Sequence, residues 1–235
     1  MANIKEIRLE EKSYHDYCYD NYALFEAGSW LHKPVQTVID LFPFFEDYET
    51  MKVLDLGSGV GRNSIPIAEM IRDNGKTGAV VCVDLLQSAI EKLTTYSAQF
   101  AVEDMISTHR SSIEEFRIAE NSYDLIVAVS SLEHVESIDQ LDDVLKRMAV
   151  GTKKHGINCI IINSEVEEID QNTKESLDVK MEINATKEEM FHRLEMAYGG
   201  WIVLKKLVRP LEYSINRGGR DIQLNTSAIT YVVRK

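Results

Sequence analysis

The run VLDLGSGVGRNSIPIAE at residues 53–69 limits the possible folds more than any other stretch of the chain. Val53, Leu54 and Leu56 form an apolar strand carrying Asp55 near its end. The strand breaks at Gly57-Ser58-Gly59-Val60-Gly61 and restarts as an amphipathic helix. A strand that turns straight into a helix opens a βαβ unit. It commits the chain to right-handed crossovers and to a sheet covered by helices. Glycines at that corner let the backbone turn sharply and let a ligand lie directly against the main chain.

The rest of the chain keeps the same rhythm. Short apolar runs at 51–56, 79–84, 105–110, 123–129 and 157–162 predict strands of a sheet covered on both faces. Helical stretches at 63–73, 87–101 and 137–150 alternate with them. Thr186-Lys187-Glu188-Glu189 is a capping box that opens a helix to about Tyr198. Strands at 201–207 and 224–233 follow, joined by the turn-rich Asn216-Arg217-Gly218-Gly219. The polar, acidic stretch 164–180 predicts a long loop or insertion. Residues 14–45 are rich in aromatics and predict one or two helices before the sheet, with Pro34 in the first turn of the second. The fold class expected is α/β, a three-layer sandwich around a doubly wound sheet. No linker or repeat divides the chain, so residues 1–235 are expected to form one domain. Residues 1–45 serve as a helical lid on a core at 51–235.

Lys and Arg number 26 against 38 Asp and Glu, a net charge of −12. That sign argues against nucleic acid or an anionic membrane surface as partner, because the long-range field repels both. Cys18, Cys82 and Cys159 are odd in number and widely spaced, which fits free thiols in a reducing compartment. The charged amino terminus resembles no signal peptide, and no run reaches membrane-spanning length. A cytoplasmic location follows as the expectation.

The glycine turn restricts its ligand. A dinucleotide fingerprint needs glycine at position 62, where this chain has Arg62, and the Lys-Ser/Thr pair of a phosphate loop is missing. An acid just ahead of the turn suits a ligand with a cationic end and no phosphate, and S-adenosylmethionine has both properties. The expected contacts at the turn are Asp55, Gly57, Ser58, Gly59 and Gly61. Asp84 ends the second strand about 20 residues beyond the turn, where an acid accepts hydrogen bonds from ribose hydroxyls. Leu85 is placed to lie against the adenine. At the end of the third strand Ser111 or Ser112 reaches the adenine amino group and Ile113 covers the ring; alternatively the serines cap a helix starting at Ile113. Ser130, after the fourth strand, is expected beside the methionine part of the ligand.

The turn DLGSGVGRNS, the Asp84 strand end and the segment YDLIVAVSSLEHV resemble the successive motifs of class I S-adenosylmethionine-dependent methyltransferases over roughly residues 51–150. Gly61-Arg62-Asn63-Ser64, Tyr198-Gly199-Gly200-Trp201 and Gly219-Arg220-Asp221-Ile222 are similar to the tellurite-resistance methyltransferase subfamily. Glu212-Tyr213-Ser214 lacks that subfamily's His-Arg pair, and Gly219 replaces its Asn. The resemblance implies a seven-stranded, mostly parallel sheet with an antiparallel last strand, and methyl transfer to a small-molecule acceptor. His134 is the one candidate general base. Arg217 and Arg220 could bind an acidic substrate. Tyr14, Tyr17, Tyr22 and Trp30 could close over the sulfonium. No Cys/His cluster has metal-ligand spacing. The competing readings are a non-catalytic S-adenosylmethionine-binding module and a nicotinamide-dependent oxidoreductase. The sequence is silent on oligomeric state.

Overall fold

The computed structural model describes residues 4–217 and 219–235. Helix α1 (Ile4–Asn21) and the single turn α2 (Gln36–Ile39) precede the sheet. The chain continues through β1 (Thr50–Leu56), α3 (Ser64–Asp73), β2 (Thr77–Asp84), α4 (Gln87–Gln99), β3 (Ile106–Arg110) and β4 (Tyr123–Val129). It ends with α5 (Ile138–Gly151), β5 (Thr152–Asp170), β6 (Ser176–Leu177), α6 (Lys187–Ala197), β7 (Ile202–Arg217) and β8 (Arg220–Arg234). The described strands form one sheet in the order β3-β2-β1-β4-β5-β8-β7, with β6 paired to β5. Strands β1 to β5 are mutually parallel, whereas β8 runs antiparallel between β5 and β7. The antiparallel last strand is as expected. The two-residue β6 makes the sheet eight-stranded where seven strands were expected.

Alternate residues of the strands feed two separate cores, which makes the layers three. Val53, Val80 and Val127 pack on one face with Ile65 and Leu93. Leu54, Leu56, Ile126 and Ala128 pack on the other with the buried stripe Leu141, Val144, Leu145 and Met148 of α5. That stripe has the spacing of one helical face. Each such side chain contributes roughly 1.5–3 kcal/mol by leaving water. Ser137 caps α5 by accepting the Gln140 amide. The capping box at Thr186 and Glu189 forms as expected.

Four expectations need correction. Strand β7 does not end near Leu207 but runs to Arg217, so Asn216 and Arg217 are strand residues rather than turn. Residues 164–170 are not a loop: β5 continues to Asp170, paired with β8 from Ile157 on, with one register shift between Ser164 and Glu167. Its inward positions there carry Glu168 and Asp170, both buried, whose charges meet Arg217 and Arg220 of the β7–β8 hairpin. A strand whose buried positions carry acids that meet arginines of a distant hairpin looks polar in sequence. No helix starts at Ile113, because Ser112 closes a turn instead, with its Oγ accepting the Glu115 amide and its carbonyl the Phe116 amide. Pro34 precedes α2 rather than lying inside its first turn, and Val35 is the N-cap. Within the expected turn 216–219, Gly218 lies outside the described residues.

Candidate active site

The site grows from the corner after β1. The amides of Gly57 and Ser58 both donate to the Val83 carbonyl, at 2.8 and 3.0 Å, which pins the turn to the end of β2. Gly57 has φ +75°, and a Cβ there would sit 2.3 Å from the Ser131 Cβ. Backbone conformation and close approach therefore both require glycine at this position. Ser131 also donates to the Leu56 carbonyl at 2.7 Å, so the loop after β4 is locked against the end of β1. A Cβ on Gly61 (φ +95°) would meet the Leu93 side chain at 2.4 Å, which packs the far side of the turn on α4.

Two acids flank the turn. Asp84 accepts the Gly59 amide at 2.8 Å and the Leu86 amide at 2.9 Å. Burial pushes its pKa up, and those two amides work in the opposite direction. Asp55 is fully enclosed and accepts from the Ser64 hydroxyl at 2.5 Å; burial raises its pKa to about 6. Between them the Ser58 Oγ is buried and has no hydrogen-bond partner. Leu85, next to Asp84, is 45% exposed at the strand end, open for contact with a ligand. The Ser111 amide donates to the Asp84 carbonyl at 3.0 Å, so this loop is carried by the same strand end. Its hydroxyl turns to the Ser112 carbonyl. Ile113 packs on the α5 face of the core. Ser130 is exposed, in left-handed conformation (φ +49°), and its amide donates to the Ile161 carbonyl.

Helix α1 lies over the turn. Tyr19 is buried, and its hydroxyl would be 3.2 Å from a Cβ on Gly59. Trp30 stands edge-on to Tyr19 and His15. Of the other expected lid aromatics, Tyr14 and Tyr22 pack against the core, while Tyr17 is 58% exposed. Only three residues of α1, Ile7, Cys18 and Tyr19, are buried. Its attachment is largely ionic. Arg8 reaches Glu114, Glu136 and Glu182; Glu10 reaches Lys180 and Arg217; Glu11 reaches Arg217 and His134.

His134 sits inside this network. Its Nδ1 is 3.0 Å from Glu182 and its Nε2 4.0 Å from Glu11. Burial disfavours the charged ring, but the hydrogen bond to Glu182 and the charges of Glu11, Glu133 and Glu182 outweigh it. The pKa rises to about 9, so the ring is a cation at neutral pH. Arg217 pairs with Glu168 at 2.7 Å, and Arg220 with Asp170 at 3.3 Å. Both arginines expected to meet a substrate thus already hold carboxylates of β5.

Sequence reasoning missed several groups that the fold brings here: Glu11 and Tyr19 from α1, Arg62, Glu133 and Glu182. Glu133 is fully buried. Its Oε1 takes both the amide and the side-chain amide of Asn163, and its Oε2 has no partner. An acid beside His134 in the loop after β4 was the available signal. Arg62 was legible only as the residue that breaks a dinucleotide fingerprint.

A glycine corner without side chains, flanked by two buried carboxylates and an unpaired hydroxyl, fits a nucleoside that carries an amino-acid tail. With the strand order 3-2-1-4-5-8-7 and an antiparallel β8, it defines a class I S-adenosylmethionine-dependent methyltransferase. The methyltransferase domain family matches residues 53–181, more than half of the chain, and the chain belongs to that family, whose cofactor is S-adenosylmethionine. The ubiquinone biosynthesis O-methyltransferase of Rickettsia felis is 30% identical over 96 residues, covering 41% of this chain and 36% of that protein. That of Rickettsia typhi is 25% identical over 139 residues, covering 59% and 53%. The matched stretches thus span about a third to a half of these relatives' length. Among solved structures, TehB from Haemophilus influenzae superposes with a TM-score of 0.62 at 21% identity, over 94% of this chain and 66% of that one. The YcgJ protein of Bacillus subtilis gives 0.60 at 13%, over 86% and 99%. At these identities the structural likeness is one of fold.

Proposed function

We propose that the protein transfers the methyl group of S-adenosylmethionine to a small-molecule acceptor in the cytoplasm, acting as one domain with α1 as its lid. The observation that carries this reading is the Asp84–Gly59 hydrogen bond, which joins the acid for a ribose to the turn for the tail. When bound, the cofactor supplies an electrophilic methyl group on a sulfonium. Asp84 then holds the ribose hydroxyls, with Leu85, Ser111, Ser112 and Ile113 on the adenine side. Asp55, Gly57, Ser58, Gly59, Gly61 and Ser130 line the methionine side. Tyr19, whose hydroxyl lies over Gly59, and Trp30, edge-on to it, would help exclude water from the turn.

His134 is charged at neutral pH. It is therefore poorly suited to remove a proton from an acceptor oxygen, and its two ring nitrogens already face Glu182 and Glu11. Positioning of that oxygen against the methyl group then carries most of the rate. The curated relatives are named as O-methyltransferases, so hydroxylated small molecules come first in the test. The assay follows label from methyl-labelled S-adenosylmethionine into a panel of phenols, carboxylates, amines, thiols and chalcogen oxyanions. Turnover of at least one class supports the reading. Binding of the cofactor with no turnover across the panel favours the non-catalytic module.

A further inference from the structure

Glu133 is a buried carboxylate to which the cofactor assignment gives no task. Its Oε1 accepts the Asn163 amide at 3.2 Å and the Asn163 side-chain amide at 2.5 Å. Asn163 is itself held, its Oδ1 accepting from the Thr226 hydroxyl at 3.3 Å. Glu133 Oε2 is shut off from water and accepts from nothing. Among the described residues it is the only fully enclosed carboxylate oxygen without a hydrogen-bond partner. Burying such an oxygen with no donor is costly. The protein supplies none, and the O–H of a bound molecule can.

The sheet order places this oxygen on the side left to an acceptor. Asp84 ends β2, the glycine turn follows β1, and β4 and β5 come next across the sheet. The nucleoside end of the cofactor lies towards β2, so the β4–β5 side is open to the second reactant. Glu133 lies in the loop after β4, and Asn163 lies in β5, just beyond its paired stretch with β4. Ser131, two residues before Glu133, is bonded to the Leu56 carbonyl beside the turn. His134, next in the loop, meets Glu11 of α1, so the lid closes over this loop.

The titratable groups that face Glu133 are His134 of its own loop and Tyr213 of β7. His134 is already a cation and cannot take a further proton. Burial pushes the Glu133 pKa up against the His134 charge and the Asn163 hydrogen bonds, towards the range in which a carboxylate exchanges protons near neutral pH.

We propose that Glu133 is a catalytic residue whose Oε2 takes the proton of a neutral hydroxyl acceptor during methyl transfer, an assignment that rests on the methyl-transfer reading above. The acceptor oxygen bonds to the methyl carbon as the carbon–sulfur bond breaks. The electron pair of the broken bond stays on sulfur, which becomes neutral, and the hydroxyl proton passes to Glu133.

The test measures methyl transfer by wild type, Glu133→Gln and Glu133→Asp, with circular dichroism as the fold check. Phenol and catechol serve as acceptors neutral at the assay pH, benzoate and selenite as acceptors already ionised. Gln keeps an acceptor for Asn163 but cannot take a proton. With phenol or catechol it should lower kcat by about 100-fold or more and move KM by less than about 3-fold. Wild-type kcat/KM for these acceptors should rise with pH through an ionisation above the ordinary carboxylate value, since only the ionised carboxylate accepts a proton. Glu133→Gln should lose that limb. Glu133→Asp, charged but one methylene shorter, should keep the limb at a lower kcat. Should Glu133→Gln fail to fold, Glu133→Asp and the wild-type pH profile decide. Equal loss on neutral and ionised acceptors overturns the proposal, because Glu133 then only holds Asn163 and the loop. Unchanged kcat in Glu133→Gln overturns it, as does turnover of other acceptors without phenol or catechol. No transfer to any acceptor class sinks the methyl-transfer reading itself, an outcome distinct from these.

Discussion

One carboxylate oxygen of Asp84 accepts the main-chain amide of Gly59 at 2.8 Å, so the end of β2 and the turn after β1 form one unit. The other oxygen takes the Leu86 amide. Asp84 therefore has two tasks, shaping the turn and presenting charge to a ribose. Asp84→Asn keeps an acceptor for one amide but removes the charge. It is expected to weaken S-adenosylmethionine by about 1.5–3 kcal/mol while costing about 1 kcal/mol of stability. Calorimetry and urea unfolding measure the two effects separately. Unchanged affinity would show that the carboxylate serves the turn alone.

Gly57 and Ser131 test the close approach of the two loops. Gly57→Ala puts a methyl group 2.3 Å from the Ser131 Cβ, at a φ that costs an L-residue about 1–2 kcal/mol. The single variant should lose several kcal/mol. Adding Ser131→Gly removes the clashing atom and should recover the steric part of the loss but not the φ part. A double variant no more stable than Gly57→Ala would contradict the packing described.

His134 predicts a pH dependence. Its folded pKa, about 9, lies above the ordinary 6.5. Its contribution to stability is therefore fully present below about pH 6.5 and is lost as pH rises through about 9. The melting temperature of the wild type should fall relative to His134→Gln between pH 7 and 9.5. Glu182→Gln, which removes the carboxylate 3.0 Å from the ring, should shift that fall to lower pH. Parallel curves for wild type and His134→Gln would mean that the ring is not charged where the structure puts it.

The parts of this architecture that rest on short-range pattern were legible in sequence. Strands β1 to β4 and helices α3 to α5 lie within about three residues of their expected bounds, because each is a local apolar run with its own boundary signal. The turn's glycines and Asp84 were legible because close backbone approach admits few residue types. The continuation of β5 was not, since Glu168 and Asp170 are satisfied by Arg217 and Arg220, some fifty residues away in sequence. Helix α1, which begins at Ile4, was expected only from residue 14 because it buries so little apolar surface. Its ionic contacts with residues 114–217 leave no local trace. Glu133 shows why polar site residues are hard to read. It was visible as a residue type, but its significance lies in what it fails to pair with.

The most direct measurement is a co-crystal structure with S-adenosylhomocysteine, the demethylated cofactor. The ribose hydroxyls should lie within hydrogen-bonding distance of Asp84, with the amino-acid tail running along Gly57 to Gly59 and the Ser58 hydroxyl newly partnered. A ligand bound elsewhere, or no density at the turn under saturating ligand, would contradict the assignment of this corner as the cofactor site.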